Sequence, residues 1–174
     1  VGETTLSKIN KLSKILKKNK SDSIFISAPE NVAWLLNIRG HDNPSSPIPN
    51  ARLIIDKEKN IYFLSDLKKI KKIKNRINYK KINFCSFENF FDVIQKLKTT
   101  SFTIDKLSCS VFYESLIKSN FVIKSFEDPI YHLKSIKNKF EIESMKSTHI
   151  KDGVALTKFL YWIKQDKNFG FDEL

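Results

Sequence analysis

PENVAWLLNIRGHDNPSSPIP, residues 29–49, begins as an apolar helix and ends as a loop punctuated by Pro44, Pro47 and Pro49. Pro29 suits the first helical position, where a missing N–H removes a donor that has no partner anyway. Trp34, Leu35 and Ile38 form the apolar stripe of this helix, which places Trp34 in a core. The stripe then delivers Arg39, Gly40, His41 and Asp42 together at the end of the element. Side chains that bind or react concentrate on such loops, held by a rigid scaffold. Gly40 is expected to supply a positive-φ turn. The prolines, with Ser45 and Ser46, stiffen the exposed loop that follows.

Working outward, Leu6, Ile9, Leu12, Ile15 and Leu16 recur at three- and four-residue steps and predict a helix over residues 5–19. Ser23-Ile24-Phe25-Ile26-Ser27 reads as a strand. Downstream, Arg52-Leu53-Ile54-Ile55-Asp56 and Ile61-Tyr62-Phe63-Leu64 are strands of a hairpin closed by Lys57-Glu58-Lys59-Asn60. Ser65 and Asp66 cap a lysine-rich helix ending near Asn75. Strands at residues 81–84, 102–105 and 121–124 then alternate with helices over residues 87–98 and 110–118. Roughly six strands alternating with helices imply an α/β fold: a mixed sheet flanked by helices.

From residue 135 to 165 the pattern changes to one long helix, with Ile142, Met145, Leu156, Phe159, Leu160 and Ile163 on an apolar face. Gly153, in its interior, costs about 1 kcal/mol relative to Ala. Left uncovered, that face would seek a partner, and dimerisation or helix exchange is expected. Phe169-Gly170-Phe171-Asp172-Glu173-Leu174 reads as a turn and the opening of another helix. The chain is therefore expected to be truncated, with a complete α/β domain over residues 1–134 and, over 135–174, a connector and the first helix of a further domain.

Composition narrows the functional classes. A chain of 174 residues with 41% hydrophobic content can fill one core. No apolar run approaches the roughly 18 residues of a membrane span, and no membrane partner is expected. The polar, Lys-rich helix pattern after Val1 and Gly2 is not expected to be a signal peptide, and Cys85 and Cys109 lack metal-type spacing. Both cysteines are expected to be reduced and the protein cytoplasmic. The net charge of +12 invites a nucleic-acid reading. Yet only Arg39, Arg52 and Arg76 of the 31 cations are arginine, whereas base reading favours the guanidinium fork. A solvated face accounts better for the dense lysine run over residues 68–81.

Asn31-Val32-Ala33-Trp34-Leu35-Leu36-Asn37-Ile38-Arg39-Gly40-His41-Asp42 resembles the "WLLN-(I/L)-RG-x-D" signature of the Xaa-Pro aminopeptidases (aminopeptidase P) of the creatinase/prolidase superfamily. About ninety residues on, Pro129-Ile130-Tyr131-His132-Leu133-Lys134-Ser135-Ile136-Lys137-Asn138 resembles the family's connector. Glu141-Ile142-Glu143-Ser144-Met145 and His149-Ile150-Lys151-Asp152-Gly153-Val154-Ala155-Leu156 resemble the first helix of its pita-bread catalytic domain. The match is collinear over nearly the whole chain.

The resemblance implies a creatinase N-terminal-like fold. It also implies an enzyme that removes the residue preceding a proline in second position, using two divalent ions, usually manganese, to activate a water. The family's metal ligands, two Asp, one His and two Glu, lie downstream of the segments matched here. This chain is thus expected to bind no metal and to be inactive alone. Arg39, Gly40, His41 and Asp42 become cleft-lining candidates, and the proline loop a gate for substrate. His41 departs from the family's Ser or Ala. Arg39 either points its donors into the cleft or holds the loop by pairing with Asp42 or a helix end; Asp42 itself is expected to brace the loop. His132 and His149 are assigned to no metal, and Asp152 is expected to be a helix-surface or interdomain residue. The leading reading is the non-catalytic middle domain of an Xaa-Pro aminopeptidase, shaping one wall of its cleft in a homodimer whose full-length form acts on peptides with proline in second position. A creatinase-like binding module without peptidase activity, and a basic nucleic-acid-binding domain, are the alternatives.

Overall fold

The computed structural model describes residues 2–165. The chain divides into two compact units: an α/β body over Glu3–Ile136, and a second unit that carries one long helix. In the body, α1 (Thr5–Lys18) is followed by β1 (Ser23–Ile26), α2 (Pro29–Leu36), β2 (Ala51–Asp56), β3 (Ile61–Ser65), α3 (Leu67–Ile73) and β4 (Ile82–Cys85). A 3-10 turn leads into α4 (Phe90–Gln95), β5 (Ser101–Ile104), α5 (Val111–Lys118), β6 (Val122–Ser125) and α6 (Pro129–Ser135).

The six strands form one mixed sheet in the order β4-β3-β2-β1-β5-β6. The β2–β3 hairpin supplies antiparallel pairing, with Ile54 opposite Tyr62. Its turn is held by Asp56, whose carboxylate accepts from Asn60 N at 2.8 Å and Asn60 Nδ2 at 2.7 Å, while Lys59 takes a positive φ of 67°. β1 runs antiparallel to β2 and parallel to β5.

The period-two alternation of the strands divides the apolar side chains between two cores. Ile24 and Ile26 of β1, Leu53 and Ile55 of β2 and Phe63 of β3 face Ile9, Leu12 and Leu16 of α1, Val32 and Leu35 of α2 and Ile130 of α6. Phe25, Ile54 and Leu64, from the intervening positions, face Phe90 and Ile94 of α4 and Ile117 of α5. Each fully buried Leu, Ile or Phe contributes about 1.5–3 kcal/mol of transfer free energy, so a one-residue slip of β1 would reverse which core each side chain serves.

Three expectations need correction. The helix expected over residues 87–98 is a 3-10 turn, Phe87–Asn89, followed by the short α4. The connector before the long helix contains α6, capped by Asp128, which accepts from Ile130 N. Trp34 is only half-buried and packs on the margin of the first core, not within it. The long helix, α7 (Lys139–Ile163), starts at an Asn138 capping box in which Glu141 answers the cap's own N–H. No residue of α7 is buried.

Candidate functional site

The site is prepared by how α2 ends. Asn37 adopts left-handed geometry, φ 55° and ψ 38°. Ile38 N then reaches back to Ala33 O at 3.0 Å and Asn37 N to Trp34 O at 3.4 Å, a Schellman closure. Ile38 turns into the first core, and the chain leaves the helix at Arg39 in a fixed direction.

A nearly buried cation strengthens this closure. Lys8, 2% exposed on α1, donates from Nζ to Trp34 O and to Asn37 Oδ1, each at 2.7 Å. Its ammonium also sits 4.1 Å from the Trp34 ring centroid. A positive charge at a helix C-terminus meets the negative end of the macrodipole and answers carbonyls that have no helical partner. Asn37 Nδ2 donates in turn to Glu3 O at 2.9 Å.

Beyond Arg39 the chain closes on itself. Gly40 N donates to Pro47 O at 3.1 Å, and Asp42 Oδ2 accepts from Asn50 N at 2.5 Å. Gly40 does not occupy the expected positive φ; the left-handed residue is Asn37. Glycine is required at position 40 by space, because a Cβ there would stand 2.5 Å from Pro49 Cα and 2.7 Å from Pro49 N. Asp42 is an intramolecular brace, paired with Lys69 Nζ at 2.8 Å. The Lys69 contact, then the Asn50 N–H, hold its carboxyl below the usual range. Arg39 makes no ion pair with Asp42; its Nη1 donates to Ile38 O at 2.9 Å.

Arg39, Gly40, His41 and Asp42 line one cavity of about 430 Å³. The rest of the basic lining is a feature that sequence reading passed over: Lys69, Lys72 and Ile73 of α3, with Arg76 just beyond. The signal was present in their three- and four-residue spacing, but the surrounding lysines masked it. Lys8 was missed too, although it occupies the buried stripe of α1 beside Ile9 and Leu12.

A second polar set fastens α6 to α2. Asn31, fully buried, donates to Asp128 Oδ2 at 2.7 Å and accepts from Lys134 Nζ at 2.6 Å. Tyr131 OH donates to Glu30 Oε1 at 2.9 Å. His132 and His149 join no ligand set: among the described residues no three or more His, Cys, Asp or Glu side chains are placed to hold a metal. Cys85 and Cys109 are free thiols, and burial pushes Cys109 up to about 11. No helix among the described residues is long and apolar enough to cross a membrane.

A mixed six-stranded sheet between helices, with a braced glycine loop at the end of α2, is the α/β architecture of a creatinase N-terminal-like domain. The chain belongs to the Creatinase/Prolidase N-terminal domain family, whose model matches residues 1–141. It is 30% identical over 167 residues to Xaa-Pro aminopeptidase 1 of Dictyostelium discoideum, covering 95% of this chain and 26% of that protein. A probable Xaa-Pro aminopeptidase P of Laccaria bicolor is 29% identical over 177 residues, covering 97% of this chain and 27% of its own. Among solved structures, the X-prolyl aminopeptidase of Caenorhabditis elegans, a cytosolic enzyme with a di-nuclear active site, superposes with a TM-score of 0.80. It is 24% identical, covering 95% of this chain and 28% of that one. The chain thus spans about a quarter of the length of the relatives it matches.

Proposed function

We propose that this chain is the creatinase-like, non-catalytic part of a cytoplasmic, homodimeric Xaa-Pro aminopeptidase, and that its loop at Arg39, Gly40, His41 and Asp42 walls the substrate cleft. Peptides with proline in second position are the substrates of the whole enzyme. The reading divides the chain at residues 134 and 135, with α7 opening the catalytic domain. The observation that carries it is the convergence of the four loop residues on a single cavity within a fold shared with the aminopeptidases.

The described residues do not fit a pair of divalent ions, since no donor set converges. The residues here are walls and braces, and the two ions, manganese by family resemblance, belong to other parts of the enzyme. The chain's own contribution is to hold a peptide beside that centre. The Lys8–Asn37 closure and the Asp42–Lys69 pair keep the wall in place.

The test is hydrolysis of an Ala-Pro peptide with manganese present. The whole enzyme is expected to cleave it, and the 174-residue chain alone to leave it intact. Turnover by the isolated chain would overturn the division of labour. A whole protein inert toward all Xaa-Pro peptides would support a creatinase-like binding module instead.

A further inference from the structure

The cavity beside Arg39 carries more positive charge than the structure uses. Arg39, Lys69, Lys72 and Arg76 line it against a single carboxylate, Asp42, and that carboxylate is already engaged by Lys69 and Asn50. Lys72 and Arg76 take part in no ion pair or side-chain hydrogen bond among the described residues. Arg39 commits one Nη1 to Ile38 O and keeps further donors in its fork. Three cations therefore face one concavity without a counter-charge, and a concave wall focuses their field.

A lysine-rich composition does not account for this cluster. Only three of the 31 cations are arginine, and two of those three stand here. The third, Arg52, lies instead over the Phe87 and Tyr113 rings. Lys68, Lys71 and Lys74, on the other faces of the same segment, are exposed and do not line the cavity.

The rest of the lining indicates the kind of anion. Ile38, Pro49 and Ile73 give the cavity apolar lining, and about 430 Å³ is the volume of a small organic ligand site. Guanidinium forks match a carboxylate in two parallel hydrogen bonds. We infer that the cavity is a subsite for the carboxylate of an acidic peptide side chain lying beyond the proline; this rests on the peptidase reading. Free phosphate shares the charge but has nothing to place against the apolar lining.

Binding is measured by calorimetry on the 174-residue chain at low salt, with Ala-Pro-Glu-Glu, Ala-Pro-Gln-Gln and inorganic phosphate as probes. The acidic peptide is expected to bind at least tenfold more tightly than the amide peptide. Lys72→Gln and Arg76→Gln should each weaken it by about two- to fivefold, while Lys80→Gln, outside this cavity, leaves it unchanged. Equal affinity for the two peptides overturns the inference, as does equal loss in Lys80→Gln, which would mark a diffuse charge effect. Phosphate binding through Lys72 and Arg76 with no peptide binding overturns the carboxylate assignment. In the whole enzyme, Arg76→Gln should raise KM for Ala-Pro-Glu-Glu and spare Ala-Pro-Gln-Gln. The calorimetric result needs no turnover, so a whole protein that binds selectively but cleaves nothing refutes the peptidase reading and leaves the subsite standing.

Discussion

Lys8 Nζ donates to Asn37 Oδ1 at 2.7 Å across 29 positions of sequence. The contact joins a cation on α1 to the left-handed residue that ends α2, with Trp34 O as a second acceptor at the same distance. Replacing Lys8 by Met keeps the stem's packing and leaves both acceptors without their charged donor. Hydrogen bonds to charged groups contribute about 1.5–3 kcal/mol each and are not additive, so Lys8→Met is expected to cost about 2–4 kcal/mol in urea unfolding at pH 7. Asn37→Gly tolerates the φ of 55° and loses only the side-chain bonds. Asn37→Ala should cost about 1 kcal/mol more than Asn37→Gly, through left-handed strain. Equal stability of the two variants would remove backbone strain from the account.

Two glycines make a paired prediction of opposite sign. A Cβ at Gly40 would collide with the Pro49 backbone at 2.5 Å, and backbone cannot swing aside as a side chain can. Gly40→Ala is expected to destabilise the body by more than about 2 kcal/mol or to displace the loop from α3. Gly153 lies inside α7, where an added Cβ would meet nothing within 4 Å. Gly153→Ala is expected to raise helix stability by about 0.5–1 kcal/mol, read as increased helical circular dichroism. A neutral Gly40→Ala would show that the loop is looser than its hydrogen bonds suggest.

Two carboxylates set pH dependences that run in opposite directions. Asp22 accepts from the Thr100 hydroxyl and Thr100 N, and these bonds, then Lys57, lower its pKa from 3.8 to about 2. A depressed folded-state pKa contributes stability above the unfolded value, lost as pH falls from about 4 toward 2. Asp22→Asn is expected to cost about 1–2 kcal/mol at pH 7, with the gap from wild type closing over that acid window. Asp128 is the reverse case: burial raises its pKa despite the Ile130 N–H and Asn31 bonds. Its contribution is full below 3.8 and declines as pH rises through the raised value. The cost of Asp128→Asn should accordingly be greatest in acid. Denaturation curves from pH 2 to 7 test both; parallel profiles for the two variants would contradict the assignment.

The fold was legible because the strands obey a period of two and the long helices a period near 3.6, so Ile24, Leu53 and Phe63 could be placed on one sheet from pattern alone. The bounds of the shortest elements were not. α4 has six residues and was expected as part of a longer helix, while α6 has seven, was not expected, and depends on the Asp128 cap and on Asn31, 97 positions away. The loop residues Arg39, Gly40, His41 and Asp42 stood out as a motif, but the reason for Gly40 did not: its constraint is Pro49, a neighbour created by loop closure. Lys72 and Arg76 were hidden by composition, since a basic wall resembles a solvated face until curvature is known.

On α7, residues Ile142, Met145, Leu156, Phe159, Leu160 and Ile163 fall within about 100° of one another at 100° per residue, and each is between 40% and 57% exposed. His149 and Asp152 interrupt the stripe midway, so the apolar content is concentrated in the last two turns. Burying a Leu or Phe contributes about 1.5–3 kcal/mol, enough for four such side chains to offset part of the entropic cost of association. The 174-residue chain is accordingly expected to form a dimer at tens of micromolar by light scattering. Leu160→Glu, within the stripe, should return it to a monomer. Tyr161→Glu, on the opposite side of the helix and 69% exposed, should leave the dimer intact. A wild-type monomer at high concentration, or equal disruption by both variants, would mean that α7 is not the surface through which copies of this chain associate.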